Sequence, residues 1–209
     1  MIAALYVETD GCYFGLPGVD PWDITRDARN YAGPYPVVAH PPCQRWGRYW
    51  YGGPLIKTRL SKGDDGGCFA KALAAVRQWG GVLEHPEGSA AWPAHGLLPP
   101  PRHGGWVVAD WQGGWTCCVE QGHYGHVSNK PTWLYAAGVD LPSLRWGKGR
   151  QRLHPVALER YGYEKARRMG MLSMIGGKDK TRTRNATPTA FRDLLISIAN
   201  TAQTQQVAA

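Results

Sequence analysis

Two short stretches carry side chains suited to covalent chemistry. In "PVVAHPPCQRWGRYW" (36–50) an apolar run stops at His40, and Pro41-Pro42 stiffens the chain just ahead of Cys43. Proline fixes φ and removes a donor, so the thiol sits in a restricted turn. In "GVLEHPEG" (81–88) a second apolar run, Val82-Leu83, leads straight into Glu84 and a proline. A thiolate is a nucleophile, and a nearby carboxyl group can hold or give a proton. Taken singly, each has an ordinary explanation. Free cysteines are mostly inert packing residues, and a turn carboxylate is usually solvated. Cys117, Cys118, His123 and His126 also fall close together. They lack a paired Cys-x-x-Cys spacing, and adjacent strand residues point to opposite faces, so no metal site is expected.

The elements around these residues decide whether they meet. Pro36 to His40 reads as a strand, and Asp65 to Trp79 reads as a helix, with Phe69, Leu73 and Val76 at helical spacing and Gly80-Gly81 ending it. Val82-Leu83 then begins another strand. Strand, helix, strand in this order implies a right-handed unit with parallel strands. Both strands would end on the edge where open α/β folds place their sites, bringing Cys43 and Glu84 to one crevice. Elsewhere, residues 3–7 and 12–15 flank the turn signal Thr9-Asp10-Gly11 and suggest a hairpin. Asp23 to Tyr31 reads as a short helix with Thr25 as a possible N-cap. Residues 51–67 read as a polar loop, 96–105 as a linker and 106–109 as a strand. The stretch 116–138 reads as two strands about a turn at 125–129. "RNATPTAFRDLLISIAN" (184–200) reads as a C-terminal helix with Thr187 as N-cap, Pro188 at its first position and Phe191, Leu194, Leu195 and Ile198 on its apolar face.

The 209 residues suffice for one domain with a proper core, and 27 glycines with 16 prolines make it loop-rich. No apolar stretch is long enough to span a bilayer, and the N-terminus has no charged signal region, so a cytoplasmic protein with reduced thiols is expected. The net charge is +8, and between Arg145 and Arg184 twelve Lys/Arg stand against three acids. Such a block marks a polyanion-facing surface, with DNA as the expected partner and membrane lipid disfavoured by the lack of an apolar stripe. The bland alternative is a solvated basic face. Trp106, Trp111 and Trp115 could stack on bases, although tryptophan more often packs a core.

In chain order, "HPPCQ" (40–44), "LEHP" (83–86), "QGHYGHVSNKPTW" (121–133) and "RNATP" (184–188) resemble the DNA cytosine-C5 methyltransferase family in compact, phage-type form. The resemblance implies an α/β, Rossmann-like methyltransferase fold with a mostly parallel sheet flanked by helices and a small basic recognition segment. The catalytic core would cover 1–139, the basic target-recognition segment 140–183, the returning C-terminal helix 184–203 and a tail 204–209. Cys43 would add to C6 of a flipped cytosine, Glu84 would share a proton with N3, and Lys130 would contact the ring O2 or a phosphate. An apolar strand end is expected to raise the Glu84 pKa enough for that. Arg45, Trp46, Arg48 and Tyr49 would line the pocket or grip the displaced strand. Arg45, Arg48, Arg145, Lys148, Arg150, Arg152, Arg167 and Arg168 would bind nucleic acid. The implied cofactor is S-adenosylmethionine, for which Gly11, Asp20, Asp23 and Asn185 are the candidate contacts. The donor motif is atypical: Phe14, Gly15 and Gly18 are present, but Pro17 stands among them. Two alternatives therefore stand beside methyl transfer. One is a pyrimidine-C5 enzyme of the same fold using a folate or an aldehyde, in the manner of a hydroxymethylase. The other is a non-catalytic DNA-binding relative. The short recognition segment leaves room for a partner protein that supplies target specificity.

Overall fold

A computed structural model describes residues 1–52, 60–102, 104–149, 155–168, 175, 178 and 180–202. Part of the polar loop, Arg150, Arg152 and the tail from residue 203 lie outside the described residues. The strands are β1 (Ile2–Leu5), β2 (Val19–Trp22), β3 (Val37–Ala39), β4 (Gly81–Pro86), β5 (Val107–Val108), β6 (Trp115–Glu120) and β7 (Pro131–Ala137). The helices are α1 (Cys68–Trp79), α2 (Ala91–Ala94), α3 (Pro155–Arg168, broken at Gly162), α4 (Lys180–Asn185) and α5 (Thr189–Ala199).

All seven strands join one sheet in the order β2-β1-β3-β4-β7-β6-β5. The β2-β1, β1-β3 and β3-β4 pairs are parallel, and the β4-β7, β7-β6 and β6-β5 pairs are antiparallel. The sheet is therefore mixed, not mostly parallel. The connection over 121–130 is shorter than the dozen or more residues that a parallel crossover needs. β7 accordingly turns back on β6 and inserts beside β4.

Alternation along the central strands feeds two cores. Ala3, Leu5, Val37, Ala39 and Leu83 pack on one face with Phe69, Leu73 and Val76 of α1 and with Trp92. Ile2, Ala4, Val38 and Val82 pack on the other with Phe191, Leu195 and Ile198 of α5. The expected strand-helix-strand unit is present as β3-α1-β4. Asp65 starts α1 by accepting from the Phe69 N–H (2.9 Å) and the Trp46 indole (2.7 Å). Where β4 opens, Gly81 lies so close to β3 that a Cβ there would stand 1.9 Å from the Val37 carbonyl oxygen.

The N-terminal expectations need correction. Residues 12–15 are turn, not strand, and β1 pairs in parallel with β2 instead of forming a hairpin. Gly15 and Gly18 both take left-handed φ, of 72° and 75°, which interrupts an extended run. Tyr13 turns into the second core. The helix expected over Asp23–Tyr31 shrinks to one 3-10 turn, Ala28–Asn30, capped by Asp27. The C-terminal helix is two pieces, and Pro188 rather than Thr187 occupies the N-cap of α5. Among the described residues no helix is long and apolar enough to cross a membrane.

Candidate active site

Because β3 and β4 run in parallel while β7 opposes them, one sheet edge gathers the ends of β3, β4 and β6 and the start of β7. His40 and Cys43 follow β3, Glu84 lies in the outer half of β4, and Gln121 and Lys130 flank the β6–β7 connection. The Cys43 loop is fixed from several sides. The His40 N–H donates to the Leu5 carbonyl (3.0 Å), and the Cys43 carbonyl accepts from the Trp46 and Gly47 N–H groups. The Trp46 carbonyl accepts from the Ala90 N–H, tying this turn to the segment after β4.

Glu84 is the hub. His40 Nδ1 lies 3.1 Å from its Oε2, and Gln121 Nε2 donates to its Oε1 at 3.0 Å. The other His40 nitrogen lies 2.8 Å from the Tyr13 hydroxyl. Gln121 Nε2 also reaches Thr132 Oγ1 at 2.9 Å, so the carboxylate is held between two orienting side chains. Burial alone would push the Glu84 pKa up. The His40 hydrogen bond and the charge of Lys130 outweigh it and hold the carboxyl at about 2. This reverses the expected direction: the strand end is apolar, but its tip is held by two hydrogen-bond donors and faces the Lys130 charge.

Cys43 responds to the same field. Burial pushes its thiol above the usual range, the Glu84 carboxylate pushes it further, and Lys130 pulls it down. The His85 ring is buried and accordingly held neutral, with its pKa lowered to about 4. Its Nδ1 lies 2.7 Å from Ser89 Oγ. Lys130 is also buried. Its ammonium donates to the carbonyls of Asn185 (3.4 Å) and Ala186 (3.3 Å), and its N–H donates to Glu120 Oε1. Lys130 therefore clamps the end of α4 to the site, and Asn185 contributes its carbonyl there. Glu120 is pushed up by burial, against the pull of the Gly122 and Lys130 N–H groups.

Beside this edge lies an open cleft of about 1070 Å³, lined by neighbours of the site residues (Pro86, Glu120, Asn129 and Pro131) and not by Cys43, Glu84 or Lys130 themselves. Arg48 and Tyr49 reach it from the Cys43 loop, Glu87 from beyond β4, and Arg102, Cys118 and Lys148 from other sides. Of the remaining basic residues, Arg45 is spent on the loop itself, donating to the Trp50 carbonyl at 3.0 Å. Trp46 is a core residue and does not line the cleft. Arg145 is exposed, over the Tyr124 ring, and donates to the His123 carbonyl. Arg167 pairs with Glu164, and Arg168 is exposed on α3.

In the donor region the candidate acids are already engaged. Asp23 already accepts on Oδ1 from Thr25 and the Arg26 N–H, and on Oδ2 from Thr9. Asp20 pairs with Arg26 and accepts from the Trp22 indole. Gly11 forms a tight turn on Glu8, and a Cβ there would stand 2.7 Å from the Glu8 carbonyl oxygen. No helix lies between β1 and β2, so the N–H groups that would cradle a cofactor at a helix start are missing there. These residues do not fit S-adenosylmethionine in the way the family resemblance implies.

Cys117 faces the second core, while Cys118 lines the cleft, as strand alternation requires. Among the described residues no three His, Cys, Asp or Glu side chains converge as metal ligands. Trp106 packs the core and donates to the Pro142 carbonyl, whereas Trp111 is 90% exposed. Sequence reasoning missed the parts played by Gln121 and Tyr13. Gln121 meets Glu84 only because β7 inserts beside β4, and no local pattern links Tyr13 to His40. No protein-family model, curated protein or solved structure matches the chain.

Proposed function

We propose that the protein is a DNA cytosine-C5 modifying transferase of the methyltransferase kind, with Cys43 as nucleophile. The observation that carries this reading is the arrangement of a thiol, a fixed carboxylate and a buried lysine on one sheet edge, next to a cleft with basic walls that their chain neighbours Pro86, Glu120 and Pro131 line. Cys43 Sγ would bond to C6 of a cytosine swung out of its stack. The C5=C6 electron pair then moves toward C4 and N3, and N3 takes a proton. C5 becomes nucleophilic and takes a one-carbon group. Loss of the C5 proton to water, return of the N3 proton and cleavage of the S–C6 bond release the product and restore the thiolate. Glu84 would accept from the exocyclic amine and share the N3 proton. Lys130 would offer its positive charge near the ring O2, and Arg48 and Lys148 would hold phosphates.

The donor divides this proposal in two. The resemblance favours S-adenosylmethionine. The engaged acids and helix-free loop between β1 and β2 favour a different one-carbon donor, such as a folate or an aldehyde. Nucleoside mass spectrometry on DNA from cells expressing the protein, beside a Cys43→Ala control, separates them. A methyl mass on cytosine that is absent from the control supports methyl transfer, and a hydroxymethyl mass supports the other donor. Unmodified DNA in both cultures, with the host's donors present, counts against the enzyme and favours a DNA-binding protein.

A further inference from the structure

His40 joins Tyr13 to Glu84. Its Nε2 lies 2.8 Å from the Tyr13 hydroxyl and its Nδ1 lies 3.1 Å from Glu84 Oε2. An ionised carboxylate accepts only, so Nδ1 carries the hydrogen in this pair. His40 also leads the rigid Pro-Pro-Cys turn, so the imidazole and the thiol belong to one fixed segment. An ionised Glu84 by itself has no proton to give, yet addition at C6 leaves N3 needing one.

We propose that His40 is the proton source of the site, delivering through Glu84 to the ring N3 as Cys43 adds to C6. This inference rests on the cytosine reading above. The relay starts from the imidazolium form, in which both ring nitrogens donate, to Tyr13 and to Glu84. As the S–C6 bond forms, the proton on Nδ1 moves to Oε2, and a proton from the carboxyl passes to N3. His40 is then neutral, and Tyr13 turns its hydroxyl to donate to Nε2. When the S–C6 bond breaks, N3 returns its proton by the same route, so the relay is not consumed. His40 is a positioning and proton-relay residue, acting on the ring through Glu84.

Other ionisable groups face this relay from every side. Cys43 lies three residues along the same turn, and Glu84 and His85 come from β4. Lys130 comes from the connection before β7. Around Tyr13 stand Cys12 of its own loop and Arg192 and Asp193 of α5. Buried His85 is neutral, and the tyrosine hydroxyl is pushed well above its usual range by burial, so neither competes as a proton donor near neutral pH.

The test needs no one-carbon donor. Reversible thiol addition makes C5 basic, so a cytosine-containing oligodeoxynucleotide in D2O exchanges its C5 hydrogen, read by nucleoside mass spectrometry. The wild-type protein should exchange it along a bell-shaped pH profile, rising with the thiolate and falling where the relay no longer holds its proton. His40→Asn keeps a donor toward Glu84 but cannot relay a proton. It should be about 100-fold slower, within the usual range for a general acid, and lose the falling limb. Wild-type rate and profile in His40→Asn would overturn the relay and leave His40 a mere brace. If that variant does not fold, Tyr13→Phe carries the test: a displaced falling limb supports the relay, and an unmoved one refutes it. Absence of wild-type exchange, or exchange that survives Cys43→Ala, would instead overturn the cytosine reading and the relay with it.

Discussion

Replacing Glu84 by glutamine keeps the length of the side chain but removes its charge. His40 Nδ1–H and Gln121 Nε2 both point donors at this group, one at each oxygen. A glutamine can accept from one and must present its own NH2 to the other. The size of the loss follows from titration. The carboxyl is held at about 2, against an ordinary value of 4.5. At about 1.36 kcal/mol per pH unit, that gap is worth about 3 kcal/mol of folding free energy. The sign is that of a depressed acid. The stabilisation is complete above about pH 4.5 and is lost as pH falls toward 2.

Urea unfolding of wild type and Glu84→Gln at pH 6 and pH 3 isolates this contribution. Carboxylates remote from the site titrate in both proteins and cancel, whereas His85, which the Glu84 charge holds up, shifts further down in the variant and adds a smaller difference of its own. The variant should be the less stable at pH 6. The gap should close by about 2 kcal/mol at pH 3, where roughly three-fifths of the window has been crossed. The same substitution should speed alkylation of Cys43 by iodoacetamide near neutral pH, because Glu84 is one of the two causes that push the thiol up. A stability gap that stays constant with pH, or a Cys43 that alkylates no faster, would refute the electrostatic account of this site.

Gly81→Ala should lower the melting temperature by about 6–12 °C, corresponding to about 3 kcal/mol of destabilisation. The new Cβ would meet the Val37 carbonyl at 1.9 Å with φ at +131°, and an unchanged melting temperature would show that β3 and β4 are not packed this closely. Arg48→Ala and Lys148→Ala should each reduce the salt dependence of DNA affinity by about one unit of slope, measured by fluorescence anisotropy across salt concentrations. Unchanged slopes would place the polyanion elsewhere than the cleft these two residues line.

The parts of this architecture legible in the sequence are those specified locally. Val37 to Ala39, the apolar spacing of α1 and the glycines that end it announce the β3-α1-β4 unit, and its parallel sense sends Cys43 and Glu84 to one edge. What was not legible depends on partners distant in the chain. The largely apolar run of β7, Trp133 to Ala137, suits any central strand. Its place between β4 and β6 follows from a connection too short for a crossover, and that place is what brings Gln121 to Glu84. The stretch 12–15 has a strand's composition, but Gly15 and Gly18 adopt left-handed φ and Tyr13 is drawn toward His40, twenty-seven residues away. The direction of the Glu84 shift was missed for the same reason. An apolar strand end is visible in sequence, whereas the ring of donors around its tip exists only after folding.

That ring also settles how the thiol and the carboxylate coexist. At rest, burial and the Glu84 charge both oppose thiolate formation at Cys43, and Lys130 alone among its named neighbours favours it. On the reading proposed here, a bound ring changes the balance. Once the Glu84 charge is engaged by a proton shared with N3, its field on the thiol weakens while that of Lys130 persists. The ring also covers the site and removes competing water. Thiolate formation then becomes coupled to occupancy by a base that can take a proton at N3. A half-buried thiol with a raised pKa is in this setting a nucleophile withheld until its substrate arrives, and an exposed low-pKa thiol at the same position would be open to adventitious alkylation and oxidation.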